Sequence, residues 1–172
     1  DFFIVRRFFS GMHYKKRTHT CGELRSKHIG QQATLTGWVD TRRDLGGVIF
    51  IDLRDRNGKT QVVFNPKNME AIHALAKDLR TEFVFWVTGK VERRPDGTEN
   101  SKLGTGDIDV LADELTILNK AETTPFPIDD KLDTNEDMRL KYRYLDLRRE
   151  PMQQNLLLRH TMYQITRRYF DE

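Results

Sequence analysis

Between Gln31 and Asn119 the hydrophobic period shifts from that of a strand to that of a helix once, and then back, and few folds accommodate that order. Residues 31–43 alternate, with Ala33, Leu35, Gly37 and Val39 on one side and Thr34, Thr36, Trp38 and Asp40 on the other, as in a half-buried strand. Leu45-Gly46-Gly47 turns the chain into a second strand, 48–54. Asn57-Gly58, two residues that tolerate positive φ, then predicts a hairpin into a third, 59–64. Asn65-Pro66 ends that strand. Behind Asn68 as the expected cap, Met69, Ile72, Leu75, Ala76 and Leu79 recur at helical spacing. Strand character returns at 82–94 and at 107–119, where Ile108 and Val110 face inward. Pro95-Asp96-Gly97 opens the polar loop between them, which runs to Gly106.

Five antiparallel strands with a helix between the third and fourth are the arrangement of the OB-fold, a small closed all-β barrel. The expected organisation is an extension over residues 1–15, expected to be disordered, then the barrel over 16–119 and a linker or hinge over 120–135. A mainly helical segment, 136–172, follows. The linker is expected because "KAETTPFPIDDKLD" loses the alternation and gains two prolines and acids. A long helix is expected to open at Pro151, a favoured first helical position. Leu158, Met162, Ile165 and Tyr169 then form one stripe, at spacings of four, three and four. That helix is still running at Asp171-Glu172, so its stripe calls for a partner, either more of this chain or another subunit.

Composition sets the outer bounds. A chain of 172 residues that is 37% hydrophobic and 32% charged fits a globular domain with a solvated surface. Net charge is only +3, but the first 43 residues set Arg6, Arg7, Lys15, Lys16, Arg17, Arg25, Lys27, Arg42 and Arg43 against three acids. A basic front of this kind can attract a polyanion, or can simply be a solvated surface. Cys21 is the only cysteine, which excludes an internal disulfide and a cysteine-built zinc site and makes a reducing, intracellular setting the default. No apolar run approaches the roughly 20 residues of a membrane span. The start, "DFFIVRRFFSGMHYKK", is aromatic and basic. It reads as a membrane-surface or organelle-targeting segment, or as an upstream extension without function ahead of Met12; the second reading is preferred. His13, His19, His28, His73 and His160 have no metal-ligand spacing, and no GxxxxGK phosphate loop is present.

The second strand poses the functional question. Ile49, Ile51 and Leu53 make its core side, which leaves Val48, Phe50, Asp52 and Arg54 together on the other. OB-fold barrels bind oligonucleotides on the outer face of strands two and three. There an exposed aromatic offers a base a stacking surface worth ~1–3 kcal/mol. Gln61, opposite in face to Val62 and Phe64, can pair with a base edge, an Asp can accept from base hydrogens, and Arg42 and Arg43 lie nearby for phosphates or bases. Such a face suits single-stranded RNA in a loop. The plainer alternative covers Phe50 with a loop or a protein partner and leaves both arginines in water.

"GWVDTRRDLGGVIFIDLRDRNGKTQVVF", "TGDIDV" and "EDMRLKYRYLDLRREPMQQNLLLRH" together resemble the amino-terminal third of bacterial-type aspartyl-tRNA synthetases, a group that includes the mitochondrial enzymes. The resemblance covers residues 16–172 in three ordered segments. It implies that the barrel grips the tRNA anticodon loop, with Phe50 stacked on the central anticodon base, Gln61 hydrogen-bonding nearby, and Arg43, Arg42 and Asp109 also in contact. Asp109 stands where glutamate is usual, Thr41 where a third arginine often stands, and "REP" at 149–151 replaces the common "RPE". For the full-length enzyme the resemblance implies ATP, magnesium and aspartate as reactants or cofactors, a homodimer, and a cytoplasmic or mitochondrial location. It implies no cofactor and no catalytic residue for this chain. The long helix resembles the start of the first class II motif, a dimer-interface element carrying Leu158, Met162, Ile165 and Tyr169. Leu45 stands where relatives that charge both the aspartate and asparagine tRNAs tend to have histidine, whereas Gly97 in "RPDGT" resembles that relaxed type; the two disagree. A stand-alone RNA-binding barrel is the second reading, and a barrel for protein association the third.

Overall fold

A computed structural model describes residues 15–129, 131 and 133–171. Most of the expected extension, residues 1–14, therefore lies outside the described residues. The chain divides into two compact units, Asp1–Glu122 and Thr123–Glu172.

The first unit is a closed barrel of β1 (Gln32–Leu45), β2 (Val48–Asp55), β3 (Gly58–Phe64), β4 (Val84–Arg93) and β5 (Ile108–Asn119), hydrogen-bonded in the ring order β1-β2-β3-β5-β4. Helix α1 (Glu70–Ala76) lies between β3 and β4 in sequence. Four of the ring's pairings are antiparallel, and β3 with β5 is parallel. The expected all-antiparallel barrel is corrected on that point, for a topological reason: a ring with an odd number of strands cannot alternate direction all the way round. The parallel seam is also the shortest, pairing only Val62 with Val110 and Val63 with Leu111.

Strand β1 serves two neighbours. Its first half, Gln32 to Trp38, pairs with β4, and its second, Trp38 to Leu45, with β2. A bulge lies between Val39 and Thr41, so Asp40 is the extra residue. Such a bulge bends a strand and reverses the facing of every residue beyond it. The inward positions before and around it, Ala33, Leu35 and Val39, are sealed, as are Ile49, Ile51 and Leu53 on β2, Val62 and Phe64 on β3, Phe85 and Val87 on β4, and Ile108 and Val110 on β5. Each fully buried aliphatic or phenyl side chain contributes about 1.5–3 kcal/mol.

Both predicted turns form, one of them displaced. Gly46 and Gly47, at φ 60° and 83°, make the two-residue connection from Leu45 to its partner Val48, as a turn with two left-handed residues requires. In the next hairpin Asp55 pairs with Gly58, so the tip is Arg56-Asn57 rather than Asn57-Gly58. The Asp55 carboxylate accepts from the Asn57 amide at 2.7 Å and shapes that tip. Gly58 answers a different demand: the chain before the barrel passes so close that a Cβ on Gly58 would sit 2.9 Å from the Gly22 Cα, and one on Gly22 1.9 Å from the Asn57 carbonyl oxygen. The same passage buries Cys21 and Leu24. The Cys21 amide donates to Asp55 at 2.9 Å, and the Thr60 hydroxyl donates to the Cys21 carbonyl at 2.5 Å. Burial, reinforced by the Asp55 charge, pushes the Cys21 thiol far above its ordinary range, which makes it an inert packing residue.

Helix α1 is shorter than its periodicity suggests. Its cap is Met69, not Asn68, because Asn65 organises the turn: its carbonyl accepts from the Asn68 and Met69 amides and its side chain from Lys67. Ile72, Ala76 and the following Leu79 are buried, whereas Met69 and Leu75 of the expected stripe lie open.

The second unit carries α2 (Glu136–Lys141), α3 (Arg143–Asp146) and α4 (Glu150–Asp171). Asn135 caps α2 by accepting from the Asp137 amide at 3.0 Å. The "RYLDLRR" stretch is stapled internally: Arg143 donates to one oxygen of Asp146 at 2.6 Å and Arg149 to the other at 2.8 Å. Helix α4 has no buried residue, and the expected stripe of Leu158, Met162, Ile165 and Tyr169 is 59 to 76% exposed. No helix among the described residues is long and apolar enough to cross a membrane.

Candidate nucleic-acid interface

The outer face of β1, β2, β3 and β5 joins side chains that sequence distance separates. Phe50, half-buried, pairs across the sheet with Arg43 on one side and Val63 on the other. One register step away, Asp52 pairs with Gln61. Nη2 of Arg43 reaches diagonally over β2, within 2.9 and 3.0 Å of the two Asp52 oxygens and 3.0 Å of Gln61 Oε1. Nε2 of Gln61 donates to Asp109 Oδ1 at 2.9 Å. Nε of Arg94, just past β4, reaches the same oxygen at 2.8 Å and the Ile108 carbonyl at 3.2 Å. The result is a polar chain, Asp52–Arg43–Gln61–Asp109–Arg94, running beside an aromatic ring.

Arg43 is on this face because of the bulge. Unbroken alternation from Ala33 would turn Arg43 toward the core and Arg42 outward. Instead Thr41 pairs with Asp52, Arg42 with core residue Ile51, and Arg43 with Phe50. Arg42 therefore does not join Phe50 and Gln61; its Nη2 lies 3.7 Å from Asp44, and its Nε is buried without a partner. Gln61 follows the alternation, yet is only 8% exposed, because Arg43 and Asp109 close over both ends of its amide. Asp109, despite its shorter reach, contacts both Gln61 and Arg94.

Arg94 is the member that sequence reading missed. It is 5% exposed, and its Nη2 is buried with no protein partner. The one available signal was a second arginine at a strand end, in "VERRPD", and no local pattern encodes the β4–β5 register that sets it beside Asp109. Burial lifts the Asp52 carboxyl above the ordinary aspartate range, and the Arg43 charge only partly pulls it back. Burial does the same at Asp109, opposed by the charge and hydrogen bond of Arg94 and by the hydrogen bond from Gln61.

Farther along the sheet the face closes on itself. Arg54 bonds Asp40 at 2.9 Å and Glu82 at 2.6 Å, and Lys59 bonds Asp40 at 2.7 Å. Among the described residues of the basic front, Lys15 pairs with Glu114, Arg17 with Asp55 at 4.0 Å, and Arg25 donates to the Gly22 and Leu24 carbonyls at 2.6 Å. Arg43, with its side chain 45% exposed and its Nη1 and Nε unmatched by protein acceptors among the described residues, is the cation the Phe50 end offers outward. No three His, Cys, Asp or Glu side chains gather as a metal cage among the described residues.

A family model for OB-fold nucleic acid binding domains matches residues 33–118, the barrel, and a model for class II tRNA synthetases (D, K and N) matches residues 135–172. The chain thus belongs to the OB-fold nucleic acid binding domain family. Over 98% of its length it is 54% identical to the aspartate–tRNA(Asp/Asn) ligase of Desulfotalea psychrophila, and over 84% it is 58% identical to that of Desulfosudis oleivorans. It spans about a quarter of those relatives, 28% and 24% respectively. In fold it is similar to the aspartyl tRNA synthetase of Entamoeba histolytica, with a TM-score of 0.79 at 16% identity, over 96% of this chain and 38% of that one.

Proposed function

We propose that this chain is the anticodon-binding part of an aspartate–tRNA ligase, together with the start of its class II catalytic region. The observation that carries the reading is the outer barrel face: a half-buried phenylalanine flanked by an arginine with free donors and a glutamine whose amide is held from both ends. A flipped-out base needs a surface to stack on, and a fixed donor and acceptor to be told from its neighbours. Phe50 supplies the first, Gln61 and Arg43 the second. Asp109 and Arg94 sit at the far end of the same network, where a neighbouring base would lie. Arg42, turned the other way, is left to the phosphate backbone or to no contact.

The chemistry of the whole enzyme, joining aspartate to its tRNA at the expense of ATP with magnesium, lies beyond the residues present. Among the described residues no three His, Cys, Asp or Glu side chains gather to hold a metal, and the reading assigns this chain the grip on RNA and no chemical step. The relatives named for both the aspartate and asparagine tRNAs favour the relaxed type of parent enzyme. Helix α4 would supply the homodimer interface, since a stripe of Leu158, Met162, Ile165 and Tyr169 left in water is otherwise a cost. The setting is cytoplasmic, or mitochondrial in a eukaryote.

The deciding experiment is fluorescence anisotropy with anticodon stem-loops in which the central base is varied. Preference for the aspartate anticodon, weakened by Phe50→Ala, supports the reading. Equal binding of all loops, unchanged by Phe50→Ala, overturns it.

A further inference from the structure

Asp52 looks in sequence like a group that would meet the ligand, and the geometry gives it another task. Both of its oxygens lie on one nitrogen of Arg43, at 2.9 and 3.0 Å, and that same nitrogen lies 3.0 Å from Gln61 Oε1. Nη2 carries only two hydrogens, and three acceptors converge on them. A guanidinium at a strand end, with its side chain 45% exposed, would otherwise range through water. The carboxylate instead draws it across β2 and lays it against the amide of Gln61, the residue directly opposite Asp52 in the β2–β3 register.

We propose that Asp52 is a positioning residue for base recognition, holding Arg43 in place and, through Arg43, setting which way round Gln61 presents its amide. This rests on the reading of the barrel as an anticodon grip. The glutamine has an ionised neighbour at each end. Arg43 can only donate, so the carbonyl oxygen turns toward it; the Asp109 carboxylate accepts, so the amino group turns there. Rotating the amide by half a turn would set donor against donor and acceptor against acceptor. Gln61 keeps one lone pair beside Arg43 and one hydrogen beside Asp109, and the order of those two groups is what a base edge would meet. Once Arg43 is released, only Asp109 constrains the amide and nothing fills the acceptor side. Asp52 therefore acts on selectivity without touching the base.

The test measures binding of stem-loops varied at the central base by wild type, Asp52→Asn, Asp52→Glu, Arg43→Ala and the Arg43→Ala/Asp52→Asn double variant. Urea unfolding is followed for each. Asp52→Asn is expected to fold with a near-normal midpoint, to lose about tenfold in preference for the favoured loop, and to bind the disfavoured loops almost as before. Asp52→Glu should recover part of the preference. In the Arg43→Ala background the asparagine substitution should add nothing, because the residue through which it acts is gone. In the free protein, the Arg43 guanidinium nitrogen resonance should show hindered rotation in the wild type and averaging in Asp52→Asn.

A purely structural role would lower binding of every loop alike, or would persist at full size without Arg43; either outcome overturns the proposal. A discriminating wild type with an equally discriminating Asp52→Asn also overturns it. A wild type that treats all loops alike overturns the functional reading itself, and this inference with it.

Discussion

The barrel and helix α4 treat the same kind of residue in opposite ways. Leu53 on β2 is completely enclosed, while Leu158 on α4 is 62% exposed. Both sit in patterns that call for burial. In the barrel the demand is met locally, because five strands bring their inward faces together around one axis. In α4 it is met by nothing within the helix, which has no buried residue along 22 positions. Amphipathic patterning says which side of an element seeks cover, and leaves open what provides it.

The sharpest way to break that comparison is a matched pair of truncations. Leu53→Ala should cost about 2–5 kcal/mol in urea unfolding, the range for a sealed core position. Leu158→Ala in dilute protein should stay within ~0.5 kcal/mol. Equal costs would mean that α4 is already covered in solution, and sedimentation of the two variants would then reveal the partner copy. Next in size is Gly22→Ala, whose new methyl would meet the Asn57 carbonyl backbone rather than a yielding side chain. A loss of about 1–3 kcal/mol is expected, the cost of forcing atoms into a packed site. A neutral result would show that the segment before β1 is not held against the hairpin tip.

Phe50→Ala separates the two uses of a half-buried apolar group. It should weaken stem-loop binding by ~1–3 kcal/mol while barely moving the unfolding midpoint, whereas a ring that served packing would do the reverse. Salt titration in the same assay should give a shallow slope, since Arg54 and Lys59 on the face are already paired internally.

The smallest effect is in the pH profile. Asp52 and Asp109 are both held above the ordinary aspartate range by burial. Between the unfolded value near ~3.9 and the higher native value, the native state binds more protons than the unfolded chain. Their contribution to stability therefore falls as pH rises through that window. Replacing both with asparagine removes this downward contribution, so stability should climb more steeply with pH over that range than in the wild type. An unchanged slope would mean that Arg43 and Arg94 fully offset the burial.

Much of the barrel was legible because its signals are local. Alternation or a β-rich run marked the five strands, Gly46-Gly47 marked the first turn, and the placing of one helix after the third strand identified the closure. The helix cap and the second turn were each displaced, since Asn65 takes the amides of Lys67, Asn68 and Met69, and Asp55 takes the amide of Asn57. The candidate site was legible in part. Phe50 and Gln61 follow from period two; Arg43 could be named but not aimed, and Arg94 not at all.

The sequence alone determined which residues seek the interior, where the chain must turn, and that an aromatic ring shares a strand face with Asp52 and Arg54. These depend on periods of two to four residues. Only the tertiary structure decided that Arg43 rather than Arg42 faces Phe50, that β3 and β5 run parallel, and that Gln61 is gripped from both ends. The physical reason is the same in each case. A single bulge at Asp40 reverses every side chain beyond it, an odd ring forces one parallel seam, that β3–β5 seam carries Asp109 to a glutamine 48 residues earlier in the chain, and the β4–β5 register sets Arg94 beside Asp109. Such relations are set by closure of the barrel, and no short stretch of chain contains them.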